Sequence, residues 1–223
     1  MSRQHPISLA LACLLALAGP LQAADEHGAH LQAHAQAPES AEVRLADVQL
    51  TDQHAHPLRL KEDVVGDRIV VMGFIYTSCT TVCPVVSAIM QKVQARLGER
   101  VGREVKLVSI SVDPLRDTPQ RLREYSSLYH AGPGWTWLTG PVPAVTDTLK
   151  GLGTWSANFT DHPPVIMVGD GRSGEWTRYY GFTDPGVLVA RVEALGAARQ
   201  HQGHAMLGEH AAQEHDGHGH AEN

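Results

Sequence analysis

Two cysteines in one short loop carry the most reactive side chains of the sequence. Cys79 and Cys83 follow an apolar run at 69–75, and Pro84 comes directly after the second cysteine. The β-branched run predicts a buried strand, and the threonines between the cysteines can cap a helix that has Pro84 in its first turn. We therefore expect the cysteines at a strand-to-helix turn.

The spacing of Cys79 and Cys83 suits two kinds of chemistry. Four residues on a helical turn place both sulfur atoms on one face, with Cα atoms roughly 6 Å apart. That separation is within disulfide range, and it equally allows two thiolates to bind one soft metal ion. The positive end of the following helix would lower a thiol pKa, which favours reactive cysteines. Two other interpretations stay open: a pair of small buried apolar residues, or a structural disulfide whose short loop adds little stability.

Length and composition predict one ordinary globular domain with appendages. The chain has 223 residues, 43% of them hydrophobic, and a formal net charge of −6. Because the sequence contains no basic stripe or long Lys/Arg cluster, nucleic acid is not expected as a partner.

The first 23 residues are typical of a secretory signal peptide. Arg3 precedes an apolar run at 7–18, and Ala23 offers a small residue for cleavage. The run is short for a bilayer span, so a membrane anchor is not expected, although an uncleaved segment would tether the protein. We expect an exported, periplasmic protein that keeps only Cys79 and Cys83. In that compartment the pair must be oxidised, held reduced by a partner or protected by a metal.

Two low-complexity segments flank the predicted domain at 42–199. Residues 24–41 and 200–223 contain many histidines and lack apolar periodicity, so we predict a disordered linker and a disordered His-rich tail. Their histidines either gather Cu(II) or Zn(II) or are simply solvated.

The order of predicted elements between these segments is that of an α/β fold. The elements are an edge hairpin at 43–60, a strand at 69–75, a helix ending at Gly98, a strand at 105–112, a helix from 117, a strand at 135–138, a helix at 145–152, a hairpin at 165–182 and a last helix from 184. This order predicts a central mixed β-sheet flanked by helices, as in thioredoxin-like domains, with an N-terminal β-hairpin.

Three separated motifs in this chain stand in the order found in one known family. They are the Cys79 to Cys83 loop, the Asp113-Pro114 segment that continues to Asp117, and Asp161-His162 just before a strand. Over residues 43 to 195 the chain thereby resembles the Sco/SenC family of copper-delivery proteins for cytochrome oxidase assembly. The resemblance implies a thioredoxin-like Sco domain that binds copper, as Cu(I) or Cu(II), through Cys79, Cys83 and His162.

The implied ligand set suggests how copper would be carried. Two thiolates and one imidazole suit Cu(I), can also hold Cu(II), and leave a position open for a partner's ligand. Metal and disulfide exclude each other, because an oxidised pair has no thiolate to donate. The resemblance implies a metallochaperone for the binuclear copper site of cytochrome c oxidase. Its partners would be the copper-site subunit of that oxidase and a thiol reductant such as a thioredoxin-like protein.

The neighbours of the implied ligands have two interpretations each. Asp161 either orients the imidazole of His162 or is a solvated turn residue. Asp113, Arg116 and Asp117 either form an ion-pair cluster beside the cysteine loop or serve turn and cap roles. Thioredoxins have a cis-proline facing the redox site, so the prolines after His162 raise the question of a cis peptide bond here.

Two enzymatic functions compete with copper delivery. If the chain is an enzyme, we expect a thiol–disulfide reductase that uses Cys79 and Cys83 as its redox-active pair to reduce the cysteines of a copper-site client. Typical thioredoxin-like oxidoreductases have two residues between their cysteines. This chain has three, which argues against general disulfide turnover. A peroxidase is the other candidate, because Thr80 lies three residues before Cys83, but Tyr76 stands where that class has proline.

Overall fold

A mixed β-sheet with helices on both faces is built from residues 37–216, the part of the backbone that the computed structural model describes; side chains are described for 37–203. Its strands are β1 (Glu39–Ser40), β2 (Gln49–Asp52), β3 (Pro57–Arg59), β4 (Ile69–Ile75), β5 (Val105–Ser111), β6 (Trp135–Thr139), β7 (Val165–Asp170) and β8 (Trp176–Tyr180). Its helices are α1 (Val82–Leu97), α2 (Pro119–Ser127), α3 (Val142–Gly151) and α4 (Pro185–Asp216), with a π-helical turn at Leu60–Val65 and 3₁₀ turns at Gly98–Arg100 and Phe159–Asp161.

The strands lie in the order β1-β8-β7-β4-β5-β6-β2-β3. Strand β5 pairs in parallel with β4 and β6, whereas β7 runs antiparallel to β4 and β8. The predicted thioredoxin-like α/β fold is confirmed. The predicted N-terminal hairpin is confirmed at one edge of the sheet, where β2 pairs antiparallel with β3, but its first strand begins at Gln49 and not at Val43 as predicted.

Strand β4 is buried along its whole length and separates two apolar cores. Val71 belongs to the core that includes residues of α1, α2 and α4, and its neighbour Met72 belongs to the core that includes the π-helical turn and α3. This alternation follows from the two-residue period of a strand. Burial on both faces explains why the β4 sequence is continuously apolar.

Gly73 in the middle of β4 sets how closely α1 approaches the sheet. A Cβ atom at this position would lie 3.3 Å from Cγ1 of Val86 and 3.6 Å from Cγ of Met90. Glycine therefore allows α1, the helix that carries Cys83, to pack tightly over β4.

The limits predicted for the two disordered segments differ from the structure. Strand β1 falls in the predicted disordered linker, where Glu39 accepts hydrogen bonds from Arg178 and Tyr180 at 2.8 Å each, so the disorder predicted for 39–41 is wrong. The composition of this segment did not predict a strand, because the strand is held by backbone pairing with β8 and by the carboxylate of Glu39. At the other end the backbone is helical through Asp216, although disorder was predicted from residue 200. Alanine and glutamine favour helix even where no core forms.

The predicted signal peptide, most of the linker and the end of the His-rich tail lie outside the described residues. Among the helices of 37–216, none combines the length and apolar character that a bilayer crossing needs.

Candidate metal centre

The loop at 76–81 joins β4 to α1 and carries Cys79, as the sequence predicted. Both Cys79 and Cys83 are buried free thiols. The Cys79 backbone N–H donates to the carbonyl oxygen of Tyr76 at 3.1 Å, which turns the chain toward the helix. Thr81 is the N-cap residue of α1, but its hydroxyl group accepts no capping hydrogen bond, so capping by a threonine is not realised.

The sulfur of Cys79 occupies the place of a capping oxygen. The backbone N–H of Cys83, in the first turn of α1, donates to Cys79 Sγ at 3.3 Å, and the Thr81 hydroxyl lies 3.8 Å from the same sulfur. Because the first N–H groups of a helix lack intrahelical partners and carry partial positive charge, they stabilise a thiolate at this position. The four-residue spacing thus brings Cys79 to the helix end that also holds Cys83.

The two thiols differ in acidity. Burial raises the pKa of Cys79, but hydrogen bonds from the Cys83 thiol, the N–H groups of Cys83 and Thr81 and the Tyr76 hydroxyl outweigh it and lower the pKa of Cys79 to about 7. Burial raises the pKa of Cys83 to about 12, and its hydrogen bond to Cys79 acts in the same direction. Cys79 is therefore the more nucleophilic thiol at neutral pH.

A buried carboxylate holds the cysteine loop against the end of β5. Asp117 is 1% exposed and accepts hydrogen bonds from the backbone N–H of Thr77 at 3.0 Å and from the Thr77 hydroxyl at 2.5 Å. The hydroxyl of Ser111, the last residue of β5, donates to the same carboxylate at 2.6 Å. Asp117 therefore shapes the loop through hydrogen bonds to neutral donors.

Arg116 pairs with Asp113 in a separate contact. Its Nη1 lies 3.0 Å from Asp113 Oδ2, and its guanidinium group lies over the ring of Phe159 at 5.5 Å from the centroid. The Phe159 ring in turn meets Tyr76 edge-on, with centroids 5.1 Å apart. The predicted cluster of Asp113, Arg116 and Asp117 is thus two contacts, both beside the cysteine loop.

His162 lies beside the cleft that Cys83 lines. It follows the 3₁₀ turn Phe159–Asp161, and its ring packs against Phe74 with centroids 5.6 Å apart. His162, Tyr76 and Cys83 all line one small cleft. The Nε2 atom of His162 is buried and has no hydrogen-bond partner within the described part of the chain.

The half-buried ring of His162 is poised to act as a neutral ligand. Burial lowers the pKa of His162, although the backbone groups of Pro163 and Thr154 oppose this change. The imidazole is therefore uncharged at pH 7. A buried polar atom without a partner is uncommon and calls for a reason, and an imidazole nitrogen that borders a thiol cleft fits a soft metal ion.

The three predicted ligands are not grouped around one point. Within the residues whose side chains are described, no three His, Cys, Asp or Glu side chains are grouped so as to hold a metal ion. The structure brings Cys79 and Cys83 together and places His162 on the wall of the Cys83 cleft. The complete set of Cys79, Cys83 and His162 therefore stays a prediction.

Asp161 and the two histidines of the hairpin turn have structural roles. Asp161 is exposed and accepts a hydrogen bond from Asn158 Nδ2 at 3.0 Å, so it acts as a turn residue. His54 and His56 are exposed in the hairpin turn, where their backbone N–H groups each donate to Asp52 Oδ1 at 2.8 Å. No peptide bond among the described residues is cis.

The sequence reasoning missed the part played by Tyr76 and Phe159. Tyr76 entered only as the residue that stands in place of a peroxidase proline, yet its hydroxyl helps to set the acidity of Cys79. The available signal was a hydroxyl-bearing aromatic residue directly after β4 and three positions before Cys79. Nothing in the local pattern marked Phe159, because its partners Tyr76 and Arg116 lie far away in the chain.

Comparison with known proteins identifies one family. The SCO1/SenC family model matches residues 36–166, a range that includes Cys79, Cys83 and His162. A candidate copper-binding protein of Stutzerimonas stutzeri is 31% identical over 151 residues, which cover 68% of this chain and 70% of that protein.

Solved structures agree with this match. The copper-bound ScoI of Bradyrhizobium japonicum is 26% identical with a TM-score of 0.54, over 66% of this chain and 95% of the other. A SCO1/SenC family lipoprotein of Bacillus anthracis str. Ames is 25% identical with a TM-score of 0.60, over 71% of this chain and 98% of the other. Since the family model spans most of the sheet and a relative aligns across the domain, the chain belongs to the SCO1/SenC family.

Proposed function

We propose that this chain is an exported, periplasmic metallochaperone that carries copper on Cys79, Cys83 and His162 and delivers it to the binuclear copper site of cytochrome c oxidase. One observation carries the proposal: the buried Nε2 of His162 finds no hydrogen-bond partner among residues 37–203, and it belongs to a ring that lines the Cys83 cleft. Copper is the cargo that two thiolates and an imidazole favour. Family membership supports the same cargo, since one member of known structure has copper bound.

The acidities of the ligands suggest an order of loading. Cys79 is already part thiolate near neutral pH, because its pKa is about 7, and the neutral ring of His162 needs to lose no proton. Cys83 must release its proton as the metal binds, which makes loading depend on pH. Three protein ligands leave room for a ligand of the acceptor, so copper passes between proteins by ligand exchange.

Copper binding by all three proposed ligands also requires a local movement of the chain. His162 lies at the end of a 3₁₀ turn, and among the described side chains it does not form one group with the two sulfur atoms. We expect the turn Phe159–Asp161 or the cysteine loop to shift when copper binds. The sheet beneath both segments provides the fixed frame.

The proposed compartment determines the partners. In an oxidising compartment the two thiols tend to form a disulfide, which cannot bind copper. A thioredoxin-like reductant is therefore needed to keep the thiols reduced and able to bind the metal. The sequence of residues 1–23 supports export, and so does the description of one relative as a lipoprotein. The acceptor we propose is the copper-site subunit of the oxidase.

Copper binding by the reduced protein tests this function. Under anaerobic conditions, Cu(I) is titrated against a competing chelator, and we expect one tightly held ion per chain. Replacing His162 with alanine should weaken binding at least about tenfold, which corresponds to about 1.4 kcal/mol. His54→Ala is the matched control, because His54 is exposed and lies in the hairpin turn. No tight copper, or equal loss in both variants, would contradict the proposal.

A second function, reduction of a disulfide in a copper-site client, is favoured by the unequal thiols. In this reaction the Cys79 thiolate attacks one client sulfur, which forms a mixed disulfide and releases the other client sulfur as a thiolate. Cys83 then gives up its proton and attacks Cys79, so the client leaves with two thiols and this chain with a disulfide. The thioredoxin-like reductant returns the two electrons.

The two functions separate in the His162→Ala variant. Client reduction needs the sulfur atoms alone, so a reductase keeps its turnover after this substitution, whereas a chaperone loses copper. The reduced variant and wild type are mixed with a soluble, copper-free oxidase domain whose cysteines are oxidised, and thiols are counted over time. Fast client reduction combined with no copper transfer by the loaded wild type would favour the reductase.

A further inference from the structure

An apolar groove opens beside His162, between the loop after β5 and helix α3. Its volume is about 220 Å³, and Leu115, Val142 and Trp155 are among the residues that line it. Leu115 is 80% exposed and Trp155 is 46% exposed. Large apolar side chains that remain exposed around a concave site are typical of a protein interaction surface.

The groove is continuous with the candidate metal centre. His162 lines both the groove and the Cys83 cleft, so its ring forms a shared wall. Phe159 also lines the groove and meets Tyr76 edge-on, and Tyr76 lines the Cys83 cleft together with His162. A molecule bound in the groove therefore lies next to His162, one proposed copper ligand. Only the contact between Phe159 and Tyr76 separates it from the cleft of Cys83, another proposed ligand.

Two cations border the groove in a chain whose formal net charge is −6. The guanidinium group of Arg116 is over half exposed and lies over Phe159, with one of its nitrogen atoms directed to Asp113. The ammonium group of Lys150 lies 5.1 Å from the centroid of the Trp155 ring. An apolar groove with cations at its border is complementary to an apolar segment that carries a carboxylate.

We propose that this groove docks the copper acceptor through an apolar, carboxylate-bearing segment. The inference rests on the proposed function and adds the place where the acceptor binds. The apolar side chains of the segment cover Leu115, Val142 and Trp155, and its carboxylate faces Lys150 or Arg116. Docking here makes His162 the copper ligand nearest to the acceptor, so exchange begins on the imidazole side of the ion.

The rate of copper transfer tests the groove. Cu(I)-loaded protein is mixed anaerobically with a soluble, copper-free oxidase domain, and the copper absorption of that domain is followed at several concentrations. We expect Leu115→Glu and Trp155→Ser each to lower the second-order rate constant at least about tenfold, as for central residues of an interface. Leu128→Glu is the matched control, because Leu128 is a second leucine that is 68% exposed and is not a groove residue.

Charge is tested separately with Lys150→Glu. This variant should transfer copper more slowly than wild type at low salt, and the difference should shrink as salt is raised, because exposed charges are screened. Equal rates at low salt would overturn the carboxylate part of the proposal.

Copper affinity, measured on every variant, separates this inference from the proposed function. We expect unchanged affinity, since none of the substituted side chains is a proposed ligand. If wild type transfers copper and the Leu115 and Trp155 variants do so equally fast, or if Leu128→Glu is slowed as much, the groove is not the docking site and the proposed function stands. If wild type binds no copper or transfers none, the proposed function and the docking site are both wrong.

Discussion

The hydroxyl group of Thr77 lies 2.5 Å from Oδ1 of Asp117, although the two residues are 40 positions apart in the chain. The contact joins the cysteine loop to the segment that follows β5. Since the backbone N–H of Thr77 donates to the same carboxylate, one residue supplies two of its hydrogen bonds. A buried carboxylate in such a network stabilises the fold only while its donors are present.

Asp117→Ala should therefore lower the free energy of unfolding by about 2 to 3 kcal/mol, the range for hydrogen bonds to a charged group. Asp117→Asn should cost less, because the amide oxygen still accepts a hydrogen bond. Urea unfolding at pH 7 measures both changes. Asp161→Ala is the control, and as a substitution of an exposed carboxylate it should stay within about 0.5 kcal/mol. Equal losses at 117 and 161 would show that Asp117 does not anchor the loop.

The acidities of the two thiols predict a selective pH profile of alkylation. A thiolate reacts and a thiol does not, so the rate at Cys79 should rise with pH, reach half of its maximum near pH 7 and level off above about pH 8. Cys83 should react slowly throughout, because its pKa is about 12. Iodoacetamide labelling of the reduced protein, with the labelled cysteine located by mass spectrometry, measures both rates. Faster labelling of Cys83 would contradict the assignment of Cys79 as the nucleophile.

Helix α4 is anchored by the ion pair of Arg199 with Asp170 at the end of β7. Nε and Nη2 of Arg199 lie 2.9 and 2.5 Å from the two oxygen atoms of the buried carboxylate. Arg199→Ala leaves this charge unpaired and should destabilise the fold by about 2 to 4 kcal/mol in urea unfolding. Arg172→Ala is the control, because Arg172 contacts Asp170 through its backbone N–H, which alanine retains.

A double variant gives a second test of the ion pair between Arg199 and Asp170. Adding Asp170→Asn to Arg199→Ala removes the unpaired charge, so the double variant should recover part of the lost stability. A double variant that is less stable than Arg199→Ala would show that the carboxylate contributes through its turn hydrogen bonds with 172 and 173, not through the ion pair.

Local pattern was enough to predict the central strands and several helix limits. The run Ile69–Ile75 has the composition of a strand buried on both faces, and β4 is buried at every position. Gly98 was predicted to end α1, and its φ of 56° is a conformation that glycine adopts readily. The helix predicted from 117 begins at Pro119, and the hydroxyl of its N-cap residue Thr118 accepts a hydrogen bond from the backbone N–H of Arg121 at 3.3 Å. Each of these features depends on residues close in sequence.

Contacts between residues that are far apart in the sequence could not be predicted from local pattern. The capping of α1 by a sulfur atom, in place of the threonine hydroxyl, depends on how the loop packs. Whether Asp117 meets Arg116 or Thr77 depends on where β5 ends relative to the cysteine loop. The position of His162 depends on an irregular turn between α3 and β7, which has no periodicity to analyse. The family resemblance proposed this histidine as a ligand, but only the fold shows that its ring borders the Cys83 cleft.

Tyr76 gives the sharpest test of how the protein sets the acidity of Cys79. Burial and the hydrogen bond to Cys79 raise the pKa of Tyr76 to about 12, so its hydroxyl stays protonated and donates across the pH range of alkylation. Tyr76→Phe removes this donor and keeps the ring that packs against Phe159, so the fold should lose less than about 1.5 kcal/mol. The half-maximal pH of Cys79 alkylation should rise, but only part of the way to an ordinary thiol value, because the Cys83 N–H still donates. Tyr129→Phe, which removes a hydroxyl that bonds to Tyr125, should leave the profile unchanged, and a matching shift in both variants would mean that Tyr76 acts through packing alone.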